Sequence, residues 1–127
     1  MTQYILLVDD NEIQAATRKA ILERAGRQVV VSNDGSHALA LLTDCNVLGH
    51  VGLVITDHVM PGMNGPELVG QIRTFSPFLP VMVLSGLPEA EEEYRGLEVV
   101  FRCKPFPPGE LIALVSELLD QPIARTA

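Results

Sequence analysis

Five apolar runs of strand length punctuate the chain: Tyr4–Val8, Gln28–Val31, Gly52–Thr56, Val81–Leu84 and Val99–Arg102. Helix-period segments lie between them. From Asn11 to Ala25, Ile13, Ala16, Ala20 and Ile21 fall at inward spacing, and Gly26 marks the end. Asp34 is placed to cap a second helix in which Ala38, Leu41 and Leu42 share a face. A third helix follows Gly65 and is predicted to bury Leu68, Ile72 and Phe75, with Pro77 and Pro80 bracketing the turn into the next run. Pro88–Gly96 predicts a short, very acidic fourth helix. Leu111, Leu114, Val115 and Leu118 recur at i, i+3, i+4 and i+7, the apolar stripe of a last amphipathic helix. Strand-length runs alternating with helices predict an α/β domain, a parallel sheet with crossover helices. The run Gly52–Thr56 carries no charge, as expected for a strand covered on both faces.

A length of 127 residues suits one domain, read as 1–127 with a core of about 3–120 and a frayed tail at 121–127. With 47% hydrophobic residues the chain can bury a core and is not expected to be disordered. The net charge of −7, with nine scattered basic residues, disfavours nucleic acid as a direct partner. Cys45 and Cys103 lie too far apart for a metal-ligand spacing and are read as reduced, partly buried thiols of a cytosolic protein. No basic leader precedes the first run and no stretch approaches a membrane span, so a cytoplasmic location without membrane insertion is expected. His37 and His50 read as surface residues.

The chemistry sits where the apolar runs stop. Asp9 and Asp10 follow the first run, Asp57 the third, Ser85 the fourth, and Lys104 closes the fifth. If the runs are parallel strands, these groups meet at the carboxyl edge of the sheet, where open α/β sheets bind ligands. Each has a plainer reading: adjacent acids can cap a helix, a serine can close a turn, and a strand-end lysine is usually solvated. Together they form a combination that those readings do not explain. Converging carboxylates raise one another's pKa unless a cation is present. Magnesium, which takes oxygen ligands from one or two carboxylates plus phosphate, resolves this, and manganese offers the same chemistry. The segment Asp57–Gly65 is rich in Gly and Pro and can turn backbone groups toward a ligand. Pro105 removes a backbone donor after Lys104, and that peptide is a candidate for cis.

On these residues the chain resembles a response-regulator receiver domain from end to end: the pair Asp9-Asp10, the acceptor segment opening at Asp57 with Met60-Pro61 and Asn64-Gly65, the hydroxyl of Ser85, and Lys104-Pro105-Phe106. Phe101 matches the family's mobile aromatic position. The resemblance implies a doubly wound, flavodoxin-like (βα)5 fold with sheet order 2-1-3-4-5 and helices on both faces. It implies that Asp57 is the phosphoacceptor and that Asp9, Asp10, Asp57 and the Val59 carbonyl hold Mg²⁺ or Mn²⁺. Lys104, Ser85 and the backbone amides of His58 and Gly86 would contact the phosphoryl group. Ser85 and Phe101 would form the conformational switch, and Val59 and Leu87 would tune phosphoryl lifetime. Phosphoryl transfer asks a protein mainly to position groups and neutralise charge, which such a set can do. The implied partners are a histidine kinase or histidine phosphotransfer protein and a downstream protein target, with a weak homodimer as a further option.

Some positions depart from the family pattern. Val59 and Leu87 are apolar and cannot orient a water, which predicts slow self-dephosphorylation. The segment between Ser85 and Lys104 is short for the family and carries Glu89, Glu91, Glu92, Glu93 and Glu98, either a solvated helix face or a surface for basic partners. His58 is read as a spectator at the rim. No DNA-binding or catalytic segment follows the last helix, so altered affinity for a protein partner is the expected output. Two alternatives stand beside it. One is a receiver-like scaffold that is never phosphorylated. The other is a haloacid-dehalogenase-like phosphohydrolase using an aspartyl phosphate, although Val59 stands where such an enzyme carries its second Asp. A dinucleotide site is excluded because no G-x-G-x-x-G follows the first run.

Overall fold

The structure, a computed structural model, describes residues 3–120; the tail expected at 121–127 lies outside them. Strands β1 (Tyr4–Val8), β2 (Gln28–Ser32), β3 (Val51–Asp57), β4 (Val81–Ser85) and β5 (Val100–Cys103) form one parallel sheet in the order β2-β1-β3-β4-β5. This is the expected doubly wound order. All residues of β3 and β4 are buried, which explains why both read as unbroken apolar runs. Leu6, Val54 and Val83 line one face with α2 (Gly35–Leu42) and α4 (Gly65–Phe75). Ile5, Leu53, Ile55 and Leu84 line the other with α1 (Glu12–Arg24) and α5 (Pro108–Leu119). A one-turn helix α3 (Cys45–Leu48), which the apolar pattern did not signal, precedes β3.

Local chemistry sets the boundaries. Asn11, Asp34 and Asn64 cap α1, α2 and α4 by accepting backbone N–H bonds, and Asn64 forms a full capping box with Glu67. The side chain of Arg73 donates to the carbonyls of Ser76, Leu79, Leu97 and Glu98, tying the end of α4 to the approach to β5. Among the described residues no helix is long and apolar enough to cross a membrane.

Four expectations are corrected. The inward stripe of α1 is Ala15 and Leu22, while Ile13 is 80% exposed and Ala16 and Ala20 face solvent. Alanines give weak directional information, and a charged residue, Arg18, occupies the inward stripe and hid it. Phe75, at the last turn of α4, is 36% exposed; Val69 joins Leu68 and Ile72 inside instead. Cys103 is exposed rather than partly buried, because it ends the edge strand β5. Pro88–Tyr94 is 3₁₀-helical, not α-helical. Its four glutamates repel one another and leave only Ala90 and Tyr94 to pack inward, too little to stabilise an α-helix of this length.

The two kinds of determinant differ in weight. Ile55→Ala, in the fully buried central strand, is expected to cost about 2–5 kcal/mol in urea unfolding. Asn64→Ala, which removes a surface cap, is expected to cost about 1 kcal/mol. A larger loss for Asn64→Ala than for Ile55→Ala would contradict this ranking.

Candidate functional site

The register of the sheet assembles the site. Val8 pairs with Thr56, so Asp9 leaves the sheet beside Asp57. Asp57 pairs with Leu84, which sets Ser85 one step further out, and Ser85 pairs with Cys103, which delivers Lys104 next to it. The Lys104 amide donates to the Ser85 carbonyl at 2.8 Å, and the Lys104–Pro105 peptide is cis.

Carboxylate oxygens of Asp9, Asp10 and Asp57 lie within 4.8 Å of one another, with Asp9 and Asp57 buried and Asp10 exposed. Lys104 Nζ is 2.8 Å from Asp57 Oδ1 and also donates to Gln14 Oε1 at 3.3 Å. A second cation, which the sequence reading missed, is Arg18 of α1. Its guanidinium lies 2.8 Å from Asp9 Oδ2 and 3.4 Å from Asp57 Oδ1, with the side chain 15% exposed. Its only signal in the sequence was a charge spaced three and four residues from the buried Ala15 and Leu22. The other Asp9 oxygen accepts the Asn11 amide at 2.9 Å.

Burial pushes the Asp9 carboxyl up to about 7, and hydrogen bonding with Asp57 pushes the same way. The Asn11 amide and Arg18 pull it down, but not far enough to cancel burial.

The remaining predicted positions fall around this cluster. Ser85 is buried, but its hydroxyl is turned to its own loop, accepting from the Leu87 amide at 2.9 Å and donating to the Leu87 carbonyl at 3.2 Å. Val59 and Leu87 are 68% and 47% exposed. Gly86 is exposed. The His58 amide, expected to face a phosphoryl group, donates to the Leu84 carbonyl at 3.0 Å and so continues the β3–β4 ladder. Phe101 is buried, with its ring centroid 5.9 Å from that of Tyr94.

His58 is not a rim spectator. It is 7% exposed, its Nδ1 lies 2.7 Å from the Tyr94 hydroxyl, and its Nε2 lies 3.3 Å from Glu93. Burial, and secondarily Glu93, raise the Tyr94 pKa. The hydroxyl therefore stays protonated and can donate to Nδ1, with the Nε2 side of the ring facing Glu93. A Cβ at Gly65 would collide with the Tyr94 hydroxyl, which explains the glycine there. A tyrosine in an acidic surface segment gave no sequence signal of this pairing, because it depends on where the 3₁₀ turn is set down.

The profile of the response regulator receiver domain family matches residues 5–116. The chain belongs to that family. It is 34% identical over 118 residues to the transcriptional regulatory protein CpxR of Klebsiella pneumoniae, a match covering 91% of this chain and 48% of CpxR. It is 30% identical over 118 residues to the uncharacterized transcriptional regulatory protein YbdJ of Bacillus subtilis, covering 91% of this chain and 50% of YbdJ. The chain thus spans about half the length of the curated relatives it matches. Among solved structures, the chemotaxis protein CheY4 of Vibrio cholerae superposes with a TM-score of 0.82 at 28% identity, covering 94% of this chain and 100% of that one. A receiver protein from Pseudomonas putida gives 0.83 at 29% identity, covering 92% and 98%. A receiver domain is a signalling domain of two-component systems rather than an enzyme in the ordinary sense, which sets aside the phosphohydrolase alternative. In this receiver domain the acidic cluster is a group that could hold a metal ion.

The raised pKa of Asp9 has a consequence for stability. The folded protein holds that proton more tightly than the unfolded chain, whose aspartate titrates near 3.8. Stability of the metal-free protein should therefore fall as pH rises from 3.8 to about 7. Asp9→Asn should flatten that decline and be more stable than the parent above neutrality by about 1 kcal/mol or more. Urea unfolding in chelator at mild acid and at alkaline pH checks this; an unchanged pH dependence would refute it.

Proposed function

We propose that this receiver domain accepts a phosphoryl group on Asp57 from a histidine kinase or histidine phosphotransfer protein. An Asp57 carboxylate oxygen attacks phosphorus, the bond from phosphorus to the donor's imidazole nitrogen breaks, and the electron pair stays with that imidazole. The observation that carries this reading is the 2.8 Å contact of Lys104 with an Asp57 that is itself buried in a trio of carboxylates. An aspartate so placed has a cation ready for the oxygens it will acquire.

Asp9, Asp10 and Asp57, with the Val59 carbonyl, would hold Mg²⁺ or Mn²⁺. The donor set fits: three carboxylates converge, and two basic side chains are already drawn to them. When bound, such an ion adds positive charge beside the phosphoryl oxygens.

Lys104 pairs with a phosphoryl oxygen in this reading. Ser85 must exchange its Leu87 bonds for the phosphoryl group, assisted by the Gly86 amide. The group adds about −1.5 to −2 charge, enough to draw a hydroxyl and its loop. Phe101 is already buried against Tyr94, so the movement belongs to Ser85 and the loop after it. A difference of about 1–3 kcal/mol in partner affinity between the two arrangements suffices for a signal. The output is altered binding to a protein partner.

Incubation with acetyl phosphate and Mg²⁺, read by intact mass, should add one phosphoryl group to the parent and none to Asp57→Ala. Lys104→Ala should reduce the yield. A parent chain that stays unmodified would refute the reading and favour the scaffold alternative. Neither Val59 nor Leu87 can position a water, so we expect slow phosphoryl loss, and Val59→Asn should shorten the lifetime; an equal rate in both would count against that role.

A further inference from the structure

We propose that Arg18 is a resident counter-cation that competes with the divalent ion for the acidic pocket and must swing out before the ion can load. This rests on the reading of Asp9, Asp10 and Asp57 as ion ligands, and deepens it.

The geometry makes coexistence costly. Arg18 takes Asp9 Oδ2 at 2.8 Å and Asp57 Oδ1 at 3.4 Å, while the Asn11 amide holds Asp9 Oδ1. Both oxygens of Asp9 are therefore engaged, and an ion approaching Oδ2 meets a guanidinium at contact distance. Lys104 already faces Asp57. Adding a divalent ion with Arg18 in place would set four positive charges against three carboxylates in one largely buried pocket. Like charges a few ångströms apart in a partly desolvated site repel strongly. Removing the guanidinium restores a near balance.

Arg18 also has somewhere to go. A cleft of about 460 Å³ opens between α1 and the turn after β5, with Arg18, Gln14, Thr17, Lys104 and Phe106 among its walls. The helix carries Arg18 on the boundary between pocket and cleft, so rotation about side-chain bonds moves the charge from Asp9 to solvent without shifting the backbone. Arginine suits this position, since its stem packs along α1 while its planar head satisfies a carboxylate. The consequence is a raised threshold: the ion must displace a bound cation, so the domain loads at higher Mg²⁺ than the same pocket without Arg18.

Calorimetric titration of Mg²⁺ into the parent, Arg18→Ala and Arg18→Gln separates the outcomes. Arg18→Gln keeps the stem and guards against loss of packing. The expected result is Mg²⁺ affinity about tenfold tighter in both variants, together with a lower melting temperature than the parent in chelator and a larger Mg²⁺-induced rise. Equal or weaker affinity in the variants, with saturable binding in the parent, overturns the competition alone. No saturable binding by any form overturns both the competition and the reading of the three aspartates as ion ligands. Phosphorylation of the parent by acetyl phosphate in chelator, lost in Arg18→Ala, would show Arg18 replacing the ion rather than opposing it, and would overturn the competition.

Discussion

Like-charge repulsion at the carboxyl edge of the sheet is the constraint on which this site depends. Asp9 and Asp57 are buried beside one another, and burial penalises every charge they carry. Such a pair persists by holding a proton or by drawing cations to it. Here two cations reach it, Lys104 from the end of β5 and Arg18 from α1, and both contact the same Asp57 oxygen. The pocket is thus a place where positive charge is gathered.

The sheet creates that constraint through register. One residue of slippage between β1 and β3 would part Asp9 from Asp57, and slippage between β4 and β5 would move Lys104 away from both. The register is held by packing on both faces, where Ile55 and Leu84 meet one pair of helices and Val54 and Val83 the other. Core burial therefore serves the site directly.

A second feature connects β3 to the far edge of the sheet. His58, next to Asp57, bonds Tyr94, and Tyr94 packs on Phe101 of β5. The short acidic 3₁₀ segment Pro88–Tyr94 brings Tyr94 into this position. Any rearrangement of the loop after Ser85 has to negotiate these rings, so the surface around Pro88–Tyr94 is mechanically tied to the site.

The parallel sheet and the group of Asp9, Asp10, Asp57, Ser85 and Lys104 were legible in the apolar runs, while the order of strands came from the resemblance to the receiver family. Burial on both faces forces unbroken apolar strands, and such strands can place polar groups only at their ends. Arg18, the His58–Tyr94 pair and the 3₁₀ form of Pro88–Tyr94 were not legible. Their roles depend on how α1 is rotated about its own axis and where a surface turn is laid down, and packing of the assembled sheet settles both. Long polar side chains bridge elements whose relative placement has no local code. The sequence by itself determined which residues stand at the edge, Lys104 included; the tertiary structure alone decided that Arg18 also reaches them and that Tyr94 packs on Phe101.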